Sequence, residues 1–196
     1  MEQTVGQRRV AVKRNEDLYG RFLRTAQPVD RVWPVYHRCV SSPPERLPVP
    51  VLLHDPVTRE SIRERVKKVS PASTRQWGKM SPDQMLWHVN QLLAEGLGQV
   101  RFGPFTPPLP FPIVKFIALN FRWPKGVQTR PDLLADDKRP NLEAERARCL
   151  DLLDAFAAKS LSDAWPPCTA FGKMSGKEWS QLTAKHMDHH LKQFGV

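Results

Sequence analysis

From Thr58 to Val69 the apolar side chains Ile62, Val66 and Val69 recur at i, i+4 and i+7, with arginine and lysine between them. That period marks an amphipathic helix, and Asp55-Pro56 supplies its start signal. A second stripe, Met85, Val89, Leu92, Leu93 and Leu97, follows Ser81-Pro82-Asp83-Gln84. An N-cap hydroxyl, a proline at N1 and a glutamine at N3 make a capping box, so a helix is predicted from Ser81 to about Gln99. Gly96 and Gly98 near its end imply fraying or close packing. Five prolines between Gly103 and Pro112 break regular structure, and Ile113 to Leu119 then predicts a short helix or lid over the main core. A third long helix is predicted from the cap Asn141 to Lys159, burying Leu142, Ala147, Leu150, Leu153 and Phe156, with Cys149 packed there. The last starts at a second box, Ser175-Gly176-Lys177-Glu178, and should reach about Phe194. No β-type alternation of useful length occurs. The pattern therefore predicts an all-α fold, a four-helix bundle over residues 51–196.

Residues 1–50 differ from the rest. They hold six prolines, and only Asn15 to Ala26 offers a helical pattern, so they are expected to form an irregular, poorly ordered extension that neither the fold nor the site needs. The alternative is an arm that docks through Leu18, Phe22 and Trp33 on the bundle or on a second subunit, which would give a homodimer.

With 196 residues, 40% of them apolar, the chain has room for one core and not for several domains. No apolar run approaches the roughly 18 residues that span a bilayer, and no signal peptide is visible, so a cytoplasmic protein without a membrane partner is expected. Three cysteines without a C-x-x-C pair exclude a disulfide framework or a structural zinc site built on them. The net charge of +10 divides into +4 over residues 1–50 and +6 over the remainder, with no dense basic block. Scattered charge of this kind predicts only weak, salt-labile contact with nucleic acid and no sequence preference.

The informative cluster is His186-Met187-Asp188-His189-His190. Residues four apart stack on one helix face about 5 to 6 Å apart, so His186 and His190 can share a metal ion. Stepping back along the same stripe reaches Leu182 and Trp179, which turns the pair toward the core. The two boxed helices also begin alike, with Gly78-Lys79-Met80-Ser81 and Gly172-Lys173-Met174-Ser175. His88 lies 88 − 81 = 7 residues past its cap, and the pair lies 186 − 175 = 11 and 190 − 175 = 15 past theirs. At about 100° per residue these positions fall within roughly 80° of one another around their helices. Two helices starting alike and facing one axis would bring His88, His186 and His190 together. A lone inward histidine is more often a hydrogen-bonded core residue, but three on apolar stripes would each need a buried partner, and their apolar neighbours offer few. His189 turns about 100° away and is expected to be solvated or behind the ligands, while His37 and His54 lie near irregular segments. Trp77, Trp87 and Trp179 are read either as core or as the mouth of a pocket. Met187 stands where a zinc protease motif needs glutamate, so that assignment fails, and with neither a phosphate-binding glycine loop nor G-x-S-x-G the nucleotide and serine-hydrolase readings gain little support.

The stretches Trp77-Gly78-Lys79-Met80-Ser81 through His88 and Lys185 to Gly195 resemble the DinB-like or YfiT-like superfamily of four-helix-bundle metalloenzymes, over roughly residues 54–196. The likeness is greatest to a branch of unknown function that ends in a similar H-x-x-H-H-L-x-Q-F-G stretch. It implies a divalent metal on His88, His186 and His190, with zinc as the default and nickel or iron(II) equally suited to imidazole. It further implies a transferase that uses a low-molecular-weight thiol of the glutathione, mycothiol or bacillithiol type on a small electrophile. Residues 1–50 and the proline-rich stretch 104–112 have no counterpart in it. The same ligands would also serve a metal-dependent hydrolase, and a non-catalytic basic binding module is the reading of a different class.

Overall fold

The computed structural model describes residues 50–196 apart from 108, 127–128 and 136–139. The expected extension therefore lies almost wholly outside the described residues, as do Leu18, Phe22, Trp33 and His37.

Each long helix begins where its capping chemistry placed it. Helix α1, Pro56–Lys68, is capped by Asp55, whose carboxylate accepts from the Thr58 N–H at 2.8 Å. In α2, Pro82–Gly96, the Ser81 N–H donates to Gln84 Oε1 at 3.0 Å. Helix α3 spans Phe111–Asn120. Asn141 caps α4, Leu142–Ala158, by accepting from the Ala144 N–H at 3.0 Å. Helix α5, Gly176–Gln193, carries the complete Ser175/Glu178 box. That box satisfies two otherwise orphaned N–H groups, so Ser175→Ala is expected to cost about 1 to 2 kcal/mol. A urea unfolding curve with an unchanged midpoint would contradict the capping role.

The α2 terminus comes three residues earlier than the sequence suggested. Gly98 adopts φ +76°, the Gly98 N–H reaches Glu95 O, and the Gln99 N–H reaches Ala94 O, both at 2.9 Å. This paired closure with a left-handed glycine is a Schellman cap, and it stops the helix cleanly instead of letting it fray. Gly96 is a close-packing position, because a Cβ there would lie 2.7 Å from Phe156 Cε2 and 3.2 Å from Trp179 Cε3.

The fold is all-α, with five α-helices, one short 3₁₀ turn at Pro131–Leu133 and no strand among the described residues. Helix α4 packs against α2 and α1, α5 packs against α1 and α2, and α3 rests on α5. The four long helices thus surround one core, whose fully buried members include Trp179, Phe156, Met85, Leu93, Leu153 and Met187. The α4 face is rotated from its expected setting. Cys149, Leu152, Leu153 and Phe156 are buried, Leu142 and Leu150 only half-buried, and Ala147 exposed. An alanine contributes too little apolar area to decide which side of a helix turns inward, and the larger residues at i, i+3, i+4 and i+7 prevail.

Among the described residues no helix is long and apolar enough to cross a membrane. The apolar segment before the third long helix does form a short helix, α3. Lys115 pairs with Glu178 at 2.7 Å, Gln181 donates to Leu119 O at 3.0 Å, and Lys185 Nζ reaches the Ala118 and Phe121 carbonyls. Gln181 and Lys185 thus satisfy carbonyls at the C-terminal end of α3, and with the Lys115–Glu178 pair they hold it against α5.

Candidate metal centre

His88 projects from the middle of α2, and His186 and His190 from successive turns of α5, which packs against it. All three are buried, with relative exposures of 6%, 7% and 7%. Their rings meet edge to face, with centroids 4.9 Å apart for His88 and His186, 4.8 Å for His88 and His190, and 4.6 Å for His186 and His190. One nitrogen from each ring lies within 4.8 Å of the others, a group able to hold a metal ion.

Hydrogen bonds set which nitrogen faces the centre. His88 Nδ1 lies 3.0 Å from the Leu133 carbonyl, which can only accept, so the proton sits on Nδ1 and leaves the Nε2 lone pair free. His190 Nδ1 lies 2.9 Å from Gln193 Oε1 and is a donor for the same reason. His186 Nε2 approaches His88 Nε2 at 3.0 Å, while its Nδ1 is buried without a hydrogen-bond partner. If His186 carries its proton on Nε2, it donates to His88 and strands a buried Nδ1 lone pair. If the proton is on Nδ1, two lone pairs confront each other across 3.0 Å. Either arrangement leaves an uncompensated polar contact, at a cost of about 1 to 3 kcal/mol.

A divalent cation held by His88, His186 and His190 would remove the confrontation, because the facing lone pairs would share it as a common acceptor. Zinc-to-nitrogen bonds of about 2.0 to 2.1 Å in a tetrahedron put ligand nitrogens about 3.3 Å apart, within the spread observed here. The residues therefore fit the group.

Burial disfavours the imidazolium in each ring. It pushes His88 down to about 4 and carries His186 and His190 well below the ordinary histidine value, with the neighbouring rings adding to the effect. Near neutral pH the three are neutral, the form that ligates metals.

Around this core stands a partly polar aromatic wall. His189 is half-buried rather than fully solvated, its ring 5.6 Å from Trp77, 5.7 Å from Trp123 and 5.3 Å from His190. Trp123 also touches His186, with 5.8 Å between ring centroids. Lys125 lies 4.7 Å over Trp77 and Lys185 5.2 Å over Trp123, the latter pushed down to about 8 by burial. Of the three tryptophans considered from sequence, Trp179 is fully buried core and Trp87 is buried, while Trp77 alone stands half-buried against the histidine cluster.

Comparison of the chain with protein-family models, curated proteins and solved structures gives no significant match. The chemistry of the centre is accordingly read from its own residues.

His54 belongs to a separate cluster. Its Nδ1 lies 2.9 Å from Ser180 Oγ and its Nε2 2.9 Å from Lys159 O. Ser180 is fully buried, so this contact ties the start of α1 to α5 and does not form a nucleophile. Cys149 and Cys168 are buried, and burial pushes both thiols up to about 12, which leaves neither as a reactive thiolate. The roles of Leu133, Gln193 and Trp123 escaped the sequence reading. Leu133 acts through a backbone carbonyl, which carries no residue signature, while Gln193 stood in the H-x-x-H-H-L-x-Q-F-G stretch with no role assigned to it.

Proposed function

We propose that this chain is a metal-dependent enzyme that holds a divalent ion, zinc by default, on His88, His186 and His190, and activates a low-molecular-weight thiol against a small electrophile. The observation that carries the metal assignment is the convergence of three neutral imidazoles, two of them with their Nε2 lone pairs directed inward by fixed Nδ1–H donors. A divalent ion on three neutral ligands keeps its full charge, and when bound it supplies Lewis-acid polarisation and lowers the pKa of a thiol or water that reaches it.

The chain's own residues supply the setting. Leu133 O and Gln193 orient two of the imidazoles, Trp123 packs beside His186, and Trp77 packs beside His189. Neither described cysteine lies in the cluster, so a thiol would come from outside the described chain. The DinB-like resemblance of residues 77–88 and 185–195 supports the bundle type and the choice of a thiol-dependent transferase.

Incubation of the metal-loaded protein with several small thiols and a model electrophile should give turnover that requires both thiol and metal. Turnover of esters or amides without any thiol would reject the transferase and identify a hydrolase on the same ligands.

A further inference from the structure

Gln193 is the last residue of α5 and is 4% exposed, although a terminal helical glutamine ordinarily extends into water. Both ends of its side-chain amide are engaged. Nε2 donates to Trp77 O at 2.8 Å, and Oε1 faces His190 Nδ1 at 2.9 Å. The Trp77 carbonyl can only accept, which places the amide nitrogen on that side and leaves the amide oxygen as the partner of His190. The backbone joins the same junction, since the Gln76 N–H donates to Gln193 O at 2.7 Å.

Gly78 completes the arrangement. Its backbone has φ +79°, and a Cβ there would overlap Gln193 Nε2. Only a residue without a side chain lets the 76–78 turn lie this close while keeping a left-handed conformation. The two copies of Gly-Lys-Met-Ser thus use their glycines differently. The second, Gly172, also has positive φ, but a Cβ there would crowd the Phe111 ring and not an amide next to the histidine cluster.

We infer that Gln193 is the positioning residue of the metal centre: by spanning Trp77 O and His190 Nδ1 it fixes His190 in the tautomer whose Nε2 lone pair faces His88 and His186, and Gly78 is the position that makes room for it. The inference rests on the proposed metal site. Its physical basis is general, since an acceptor at the other nitrogen orients a ligating imidazole and raises its basicity, and losing such a partner weakens metal binding.

The test uses the full chain and Zn(II) as the probe, with affinity read by chelator competition and the His190 tautomer read by ¹⁵N NMR of the metal-free protein. Wild type should show His190 protonated on Nδ1. Gln193→Leu replaces the amide with a slightly shorter apolar side chain that offers no acceptor, and should give a mixed tautomer with roughly 10- to 100-fold weaker zinc binding. Gln193→Glu restores an acceptor for His190 while losing the donor to Trp77 O, and should recover both the tautomer and an affinity within about threefold of wild type. Gly78→Ala should weaken zinc binding more in the wild-type background than in Gln193→Ala, because removing the amide removes the clash and leaves only the backbone strain at φ +79°.

Equal zinc affinity in wild type and Gln193→Leu, or a Gln193→Glu variant as weak as Gln193→Leu, would overturn the positioning role. So would a wild-type His190 protonated on Nε2, even if zinc binds. A wild type that binds no zinc would instead overturn the underlying metal site, and the tautomer measurement keeps the two failures apart.

Discussion

Purified His186→Ala protein is expected to contain no stoichiometric metal, where the wild type carries about one equivalent per chain. Structural zinc sites with four ligands are worth about 10 to 16 kcal/mol, so one ligand contributes on the order of 3 to 4 kcal/mol, a loss of roughly 100- to 1000-fold in affinity. His186 is the ligand whose removal separates metal binding from fold most cleanly. Its Nδ1 has no hydrogen-bond partner, so deleting the ring removes only the contact with His88 Nε2 and the packing against Trp123 and His190. His88 and His190, in contrast, also hold Leu133 O and the Gln193 amide. Helical circular dichroism should therefore persist in the variant. Metal analysis after preparation without chelators decides the matter. Equal metal content in wild type and variant, whether one equivalent or none, would show that the triad is not the binding site.

The metal-free protein should lose stability steeply on mild acidification. His88 has a folded value of about 4, against about 6.5 in an unfolded chain, because burial disfavours its charged form. The unfolded chain therefore binds more protons between those two values. Stability is fully present above about pH 6.5 and is lost as pH falls toward about 4. At about 1.4 kcal/mol per pH unit, His88 alone accounts for roughly 3 kcal/mol. His186 and His190 are shifted in the same direction and add to the loss. Most carboxylates titrate below this window, so urea midpoints measured on chelator-treated protein at pH 7.5, 6.5 and 5.5 report mainly on the histidines. A flat profile would mean that the rings are already protonated or reach solvent freely. Loaded with zinc, the protein should resist acid further, since ligation keeps the rings unprotonated until protons displace the ion.

Much of this architecture was legible in the chain because its cues are local. Asp55, Asn141 and Ser175 each accept from a backbone N–H three residues ahead, an interaction complete within one turn and therefore readable from a short window. The three histidines were legible for a related reason. A fixed rise and twist per residue makes the count from a cap equivalent to an angle, so two helices with the same starting motif present their histidines on comparable faces. What the count could not supply was the packing that sets α2 against α5 and closes the gap to 3.0 Å between His88 and His186.

The remaining features are non-local. Leu133 O meets His88 across 45 residues, and Trp77 O meets Gln193 across 116, in both cases through backbone carbonyls that every residue possesses. The rotation of α4 that exposes Ala147 was settled by which larger side chains α1 and α2 could bury, not by the period of α4 alone. His189 follows the same rule. Its helix position turns it away from His190, yet Trp77 and Trp123 arrive from distant segments and enclose it. The sequence by itself determined the long helices, their N-terminal caps and the inward faces of the three imidazoles, since those depend on spacing within one element. Only the tertiary structure decided the tautomers, the walls and the partner of each ring nitrogen, since a hydrogen bond between remote segments exists only once packing has brought both ends together.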